Sequence, residues 1–150
     1  MSSAAPLKIL MVEDSENDVE LVRLHLKRHG PAFDSRAVDG RSDFVNALAE
    51  PWDLVLCDYH LPTFGAPEAI AILKESRLRI PLIVISGTVG EEIAVDTMRL
   101  GASDYIMKEN LVRLVPAIDR VIKERAFQIE SSQIENELRN KEDELRQAQK

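Results

Sequence analysis

The chain is poor in several residue types, and each shortage excludes something. Cys57 is the only cysteine, so no disulfide framework can staple the fold. No apolar run approaches the roughly 20 residues of a membrane span. The first one, Leu7–Val12, is interrupted by Lys8, and Met1–Pro6 lacks the basic start of a signal peptide. These absences predict a cytoplasmic protein without membrane insertion. Basic charge is also short: 19 Lys and Arg stand against 26 Asp and Glu, for a net charge of −7. Broad contact with nucleic acid or anionic membrane needs clustered Lys and Arg, so direct nucleic-acid binding is not expected.

Glycine and proline are missing from one region only. All 6 Gly and all 7 Pro fall before residue 117, and residues 117–150 have neither. Most of the negative charge lies in front of that boundary, and the tail is nearly neutral. The 150 residues therefore suit one packed domain with an appendage, and are too few for two ordinary enzyme domains.

Within the front, five short apolar runs alternate with helical patterns. The runs are Leu7–Val12, Phe33–Val38, Asp53–Cys57, Pro81–Ile85 and Asp104–Met107. The first, third and fourth are nearly continuous Val, Ile and Leu, as in parallel strands buried on both faces. FDSRAV alternates and suits an edge strand. The helical patterns are Asp18–His29, Ser42–Glu50, Pro67–Ser76, Glu91–Leu100 and a last helix starting near Leu111. Gly30-Pro31, Pro51 and Gly101 punctuate them. Strand and helix alternate five times, which predicts an open, doubly wound α/β sheet with right-handed crossovers.

In such a sheet the working crevice lies at the carboxyl ends of the strands. Those ends carry Glu13-Asp14, Asp58, Ser86 and Lys108. Three carboxylates crowded together repel one another by about 4 kcal/mol per pair at 4 Å and an effective dielectric near 20. They need a cation, and a set of oxygen donors favours a hard divalent ion such as Mg2+. A carboxylate beside such an ion and a fixed ammonium is a plausible nucleophile for phosphoryl transfer. From the residues alone, the expectation is a Mg2+-dependent aspartyl-phosphate site.

The segments KILMVEDS, LVLCDYHLP, PLIVISGT and GASDYIMK, in this order, resemble the receiver domain of two-component response regulators. The resemblance covers about residues 7–125. It implies a flavodoxin-like, five-stranded parallel sheet of order 2-1-3-4-5. It implies that Asp58 takes a phosphoryl group from a histidine kinase or histidine phosphotransfer protein. Glu13, Asp14, Asp58 and the backbone carbonyl of His60 would hold Mg2+ or Mn2+. Ser86 and Lys108 would bind phosphoryl oxygens, and Tyr105 would be the aromatic switch. The chain departs from the family's pattern at Glu109, where a proline usually follows the lysine. It departs again in LPTFGAPEA, which lacks the usual Asp-Gly pair. SGTVGEE resembles a subgroup joined to sensor, kinase or cyclic-dinucleotide output domains.

Other residues have plainer readings. Cys57 reads as a small buried hydrophobe, Trp52 as a packing residue, and His25 and His29 as packing or solvent-facing residues of an amphipathic helix. A small-molecule phosphatase with an aspartate nucleophile is the competing enzyme reading. That class generally needs a second acid two residues after the nucleophile, where this chain has His60. A flavodoxin-like cofactor binder would place phosphate against Glu13-Asp14, which repel it. A purely structural coiled coil leaves the strand-end residues unexplained.

From Leu111 to Lys150 a single helix would be about 60 Å long. The receiver needs it only to about Arg125, so residues 1–6 are read as a flexible N-terminus, 7–125 as the domain and 126–150 as a helical extension. Val115, Ile118, Ile122, Arg125 and Ile129 follow 3-4-3-4 spacing. Ile134, Leu138, Lys141, Leu145 and Ala148 follow 4-3-4-3 in another phase. Ile118, Ile122, Ile129, Ile134, Leu138 and Leu145 are thus the expected seam of a parallel homodimeric coiled coil, broken by a stutter. It would transmit to an output domain beyond residue 150.

Overall fold

The computed structural model describes residues 5–59, 64–87 and 91–149. Strands β1 (Leu7–Val12), β2 (Phe33–Val38), β3 (Leu54–Asp58), β4 (Leu82–Ser86) and β5 (Asp104–Met107) pair in parallel. Their order is β2-β1-β3-β4-β5, as expected. Between them run α1 (Glu16–His29), α2 (Arg41–Ala47), α3 (Ala66–Ser76) and α4 (Glu91–Leu100). A 3-10 segment, Lys108–Arg113, leads into α5 (Leu114–Ala148).

The period of two along each strand sends alternate side chains to opposite faces. Leu10, Val12, Val55, Cys57, Val84 and Tyr105 meet α2 and α3 residues such as Phe44, Ala69 and Ile70. Ile9, Met11, Leu54, Leu56, Ile83 and Ile85 meet Val19, Val22 and Leu26 of α1 and Leu114, Ala117, Ile118 and Val121 of α5. All five residues of β3 and of β4 are buried, which explains their unbroken apolar runs. At the sheet edge, β2 alternates as expected over Phe33–Arg36, but Ala37 is exposed and Val38, on the face of Asp34 and Arg36, is its one buried residue. The indole N–H of Trp52 donates to Ala47 O at 2.7 Å, and its buried ring packs where α2 meets β3.

Two strands are displaced from expectation by one residue at each end. β3 and β4 start later and end on Asp58 and Ser86, because both residues still pair in register, Asp58 opposite Ile85 and Ser86 opposite Met107. The two polar side chains are therefore fixed by ladder backbone rather than by loops. Ser15 caps α1 by accepting from the Asp18 N–H at 3.3 Å, so that helix begins at Glu16, before the first residue of its apolar pattern. Following β3, the Glu68 carboxylate accepts from the Gly65 N–H at 2.8 Å. A Cβ at Gly65 would sit 2.5 Å from Tyr59 O, so only glycine allows α3 to start this close to the end of β3.

The seam expected in the tail is corrected by α5. Ile118 is 1% exposed and Ile122 packs against the same core, so both are used within the domain and cannot face a second chain. Arg125 continues this inward face, donating to the carbonyls of Trp52 and Asp53 at 3.1 and 3.2 Å. Contact with the domain also runs past Arg125, since Arg79 donates to Ser132 Oγ at 3.1 Å. Phe127, Ile134, Leu138 and Leu145 are exposed and lie on another side of the helix. At 3.6 residues per turn that side is roughly 130° round from the buried residues. The change of phase between Ile129 and Ile134 is thus a change of face. Ile129 extends the row of Ile118 and Ile122, while Phe127 heads a separate stripe.

Candidate functional site: an acidic pocket with one lysine

At the carboxyl edge of the sheet, β1 delivers Glu13 and Asp14, β3 delivers Asp58, β4 delivers Ser86, and β5 delivers Lys108 through the residue that follows it. One carboxylate oxygen from each of Glu13, Asp14 and Asp58 lies within 4.8 Å of the others. Asp58 and Ser86 are buried, and Asp14 is exposed, so the trio opens to solvent on one side. The Lys108 ammonium reaches Glu13 Oε1 at 2.7 Å, Asp18 Oδ2 at 2.5 Å and Asp58 Oδ2 at 3.1 Å. Glu13 also accepts from the Asp14 N–H at 3.0 Å, through Oε2.

The electrostatics follow from this crowding. Burial is the main cause that pushes the Glu13 carboxyl up to about 7, and the Asp58 charge adds to it against the pull of Lys108. Burial alone would lower the Lys108 ammonium. Hydrogen bonds to Asp18, Glu13 and Asp58 outweigh that and hold it above its ordinary value. One ammonium faces three carboxylates, and Asp14 adds a fourth negative charge nearby. Among the described residues the candidate ligands are all carboxylates with negative charge to spare, which fits a hard divalent cation such as Mg2+.

Other groups pack around the pocket. Burial pushes the Cys57 thiol up, away from thiolate chemistry, and its S–H donates to Asp58 O at 3.3 Å. Tyr105 is 8% exposed and packs in the α2–α3 core layer, opposite Val84 in the ladder. His60 lies outside the described residues. Asp18 was not anticipated from the sequence. Its position one helical turn beyond Asp14 was the available signal, but an acid in the first turn of a helix is ordinarily explained by the helix dipole.

A doubly wound parallel sheet with an acid trio that could hold a metal ion and a lysine, gathered at its carboxyl edge, defines a flavodoxin-like domain with its candidate site where such sheets bind ligands. Residues 9–119 match the family model of the response regulator receiver domain, and the chain belongs to that family. Among similar proteins is the alkaline phosphatase synthesis transcriptional regulatory protein PhoP of Bacillus subtilis. It is 32% identical over 87% of this chain and 54% of its own length. The phosphate regulon transcriptional regulatory protein PhoB of Escherichia coli is 35% identical over 81% of this chain and 55% of its own. The chain thus spans about half the length of these curated relatives. The Francisella response regulator 1452 receiver domain superposes with a TM-score of 0.69 at 18% identity, covering 79% of this chain and 98% of that one. The phosphorylated cyanobacterial phytochrome response regulator RcpA superposes with a TM-score of 0.63 at 26% identity, covering 78% and 91%.

Proposed function

We propose that this receiver accepts a phosphoryl group on Asp58 from a histidine kinase or histidine phosphotransfer protein. The observation that carries the reading is Asp58 itself: a buried carboxylate, fixed by the last pairing of β3, 3.1 Å from the Lys108 ammonium. A carboxylate oxygen of Asp58 attacks phosphorus, the donor's N–P bond breaks, and the new bond is an acyl phosphate. Lys108 and the Ser86 hydroxyl, at the same edge of the sheet, are the proposed holders of the phosphoryl oxygens. Glu13, Asp14 and Asp58 are the residues that would hold Mg2+ or Mn2+, with the His60 carbonyl as a further oxygen. When bound, the metal supplies positive charge against the transferring group.

The added phosphoryl group brings about −1.5 to −2 charge, enough to bias a bistable element. Tyr105 is the candidate switch, since its ring fills the core layer beside α4 and one strand from Ser86. The output path is α5, which is continuous from the core to Ala148. Phe127, Ser131, Ile134, Leu138, Lys141, Leu145 and Ala148 keep 4-3-4-3-4-3 spacing, and Phe127, Ile134, Leu138 and Leu145 among them are exposed. A second copy of α5 is the proposed partner of this stripe, in a parallel coiled coil. Glu135 with Arg139, Glu137 with Lys141 and Glu142 with Arg146 stand in the favourable i,i+4 order on each helix, which moderates repulsion between the acidic flanks.

Nucleic-acid contact is not assigned to this acidic segment; the relatives named as transcriptional regulators extend well beyond the part it matches. Among the described residues no helix is long and apolar enough to cross a membrane. The reading is tested by incubation with acetyl phosphate and Mg2+ followed by intact mass. One phosphoryl group is expected, prevented by a chelator. Sustained phosphate release from sugar phosphates without a stable adduct would instead favour the phosphatase.

A further inference from the structure

Lysine has three N–H donors, and all three of Lys108 are directed at carboxylates. The shortest of these contacts, 2.5 Å, goes to Asp18, which is not one of the three residues gathered as candidate metal ligands. Asp18 comes from a separate element. It sits in the first turn of α1, where its own N–H donates to the Ser15 cap and the helix dipole favours its negative charge. Its side chain is 31% exposed and that of Lys108 is 25% exposed, so the pair forms a wall of the pocket open to solvent on one side.

We propose that Asp18 is a positioning residue acting through Lys108, a resting counter-ion that competes with the incoming phosphoryl oxygens. The inference rests on Asp58 being the phosphoacceptor. A phosphoryl group on Asp58 can gain a Lys108 donor only if another acceptor gives one up. Glu13 and Asp58 belong to the carboxylate group that a cation draws upon, so Asp18 is the competitor with no other role in the pocket. Its charge also offsets that of the ammonium, weakening the field felt by an anion at Asp58. Asp18 therefore lowers the site's affinity for the phosphoryl group and favours its loss.

The test is titration with beryllofluoride, a phosphoryl mimic, at saturating Mg2+, followed by calorimetry. Asp18→Asn keeps the shape and removes the charge, and Asp18→Ala removes the contact as well. Both are expected to bind the mimic about 5-fold more tightly than the wild type. The Nζ resonance of Lys108 is expected to move on adding the mimic in the wild type, and to be shifted already in Asp18→Asn without it. Unchanged or weaker binding in both variants overturns the role of Asp18 alone. A wild-type protein that does not take the mimic overturns the phosphoacceptor reading, and this proposal with it. Thermal unfolding of each variant distinguishes a folding defect from an altered site, and the Asn variant, which keeps a side-chain acceptor in the first turn of α1, is expected to fold.

Discussion

Without divalent cation, the protein is expected to lose on the order of 2 kcal/mol of stability as pH rises from about 4.5 to about 7, through Glu13 and the charged neighbours it titrates with. The folded chain holds the Glu13 proton up to about pH 7, whereas the unfolded chain releases it near 4.5. Between those values the native state binds more protons than the unfolded state, so raising the pH favours unfolding. Stability from this group is fully present below the unfolded value and is lost as pH climbs through the folded one. Urea unfolding of the wild type and of Glu13→Gln, at about pH 5 and about pH 7.5, isolates the contribution. The wild type should lose stability relative to the variant over this interval. Mg2+ should restore much of it at the higher pH, by binding the native carboxylates. A constant difference between the two proteins would show that Glu13 is not strained by its surroundings.

The second large effect separates the two faces of α5. Ile118→Ala is expected to cost about 2–5 kcal/mol, since a buried side chain is deleted from the layer shared with β3 and β4. Leu138→Ala is expected to change the stability of the isolated domain by less than about 0.5 kcal/mol, because that residue is exposed there. Self-association should respond in the opposite sense. Sedimentation should show Leu138→Ala or Phe127→Ala weakening dimerisation, with the domain intact by circular dichroism. If Leu138→Ala unfolds the domain, or neither variant alters association, the two-face description of the helix fails.

The sheet was legible because its strands are buried on both faces, and only unbroken Val, Ile and Leu runs satisfy that. Their order came from the resemblance to receiver domains, since strand order is not written in local periodicity. Asp58, Glu13, Asp14, Ser86 and Lys108 were legible together, since each follows or ends an apolar run and the carboxyl edge collects them. Asp18 was hidden because its partner is 90 residues away, and no local pattern pairs a helix acid with a distant lysine. The division of α5 was hidden for a similar reason. Spacing alone finds apolar residues at helical intervals but does not say whether a face meets the chain's own sheet or another molecule. Ile118 and Leu138 look alike in sequence, and only the docking angle of the helix tells them apart.

The central claim is that Asp58 is the phosphoacceptor, and the most direct measurement is intact mass with peptide mapping after acetyl phosphate and Mg2+. Wild type, Asp58→Asn and Asp14→Asn would be run side by side. One phosphoryl group mapped to the β3 peptide, absent from Asp58→Asn and sharply reduced in Asp14→Asn, is the predicted result. A phosphoryl group that persists in Asp58→Asn, or that maps to another peptide in the wild type, would contradict the claim.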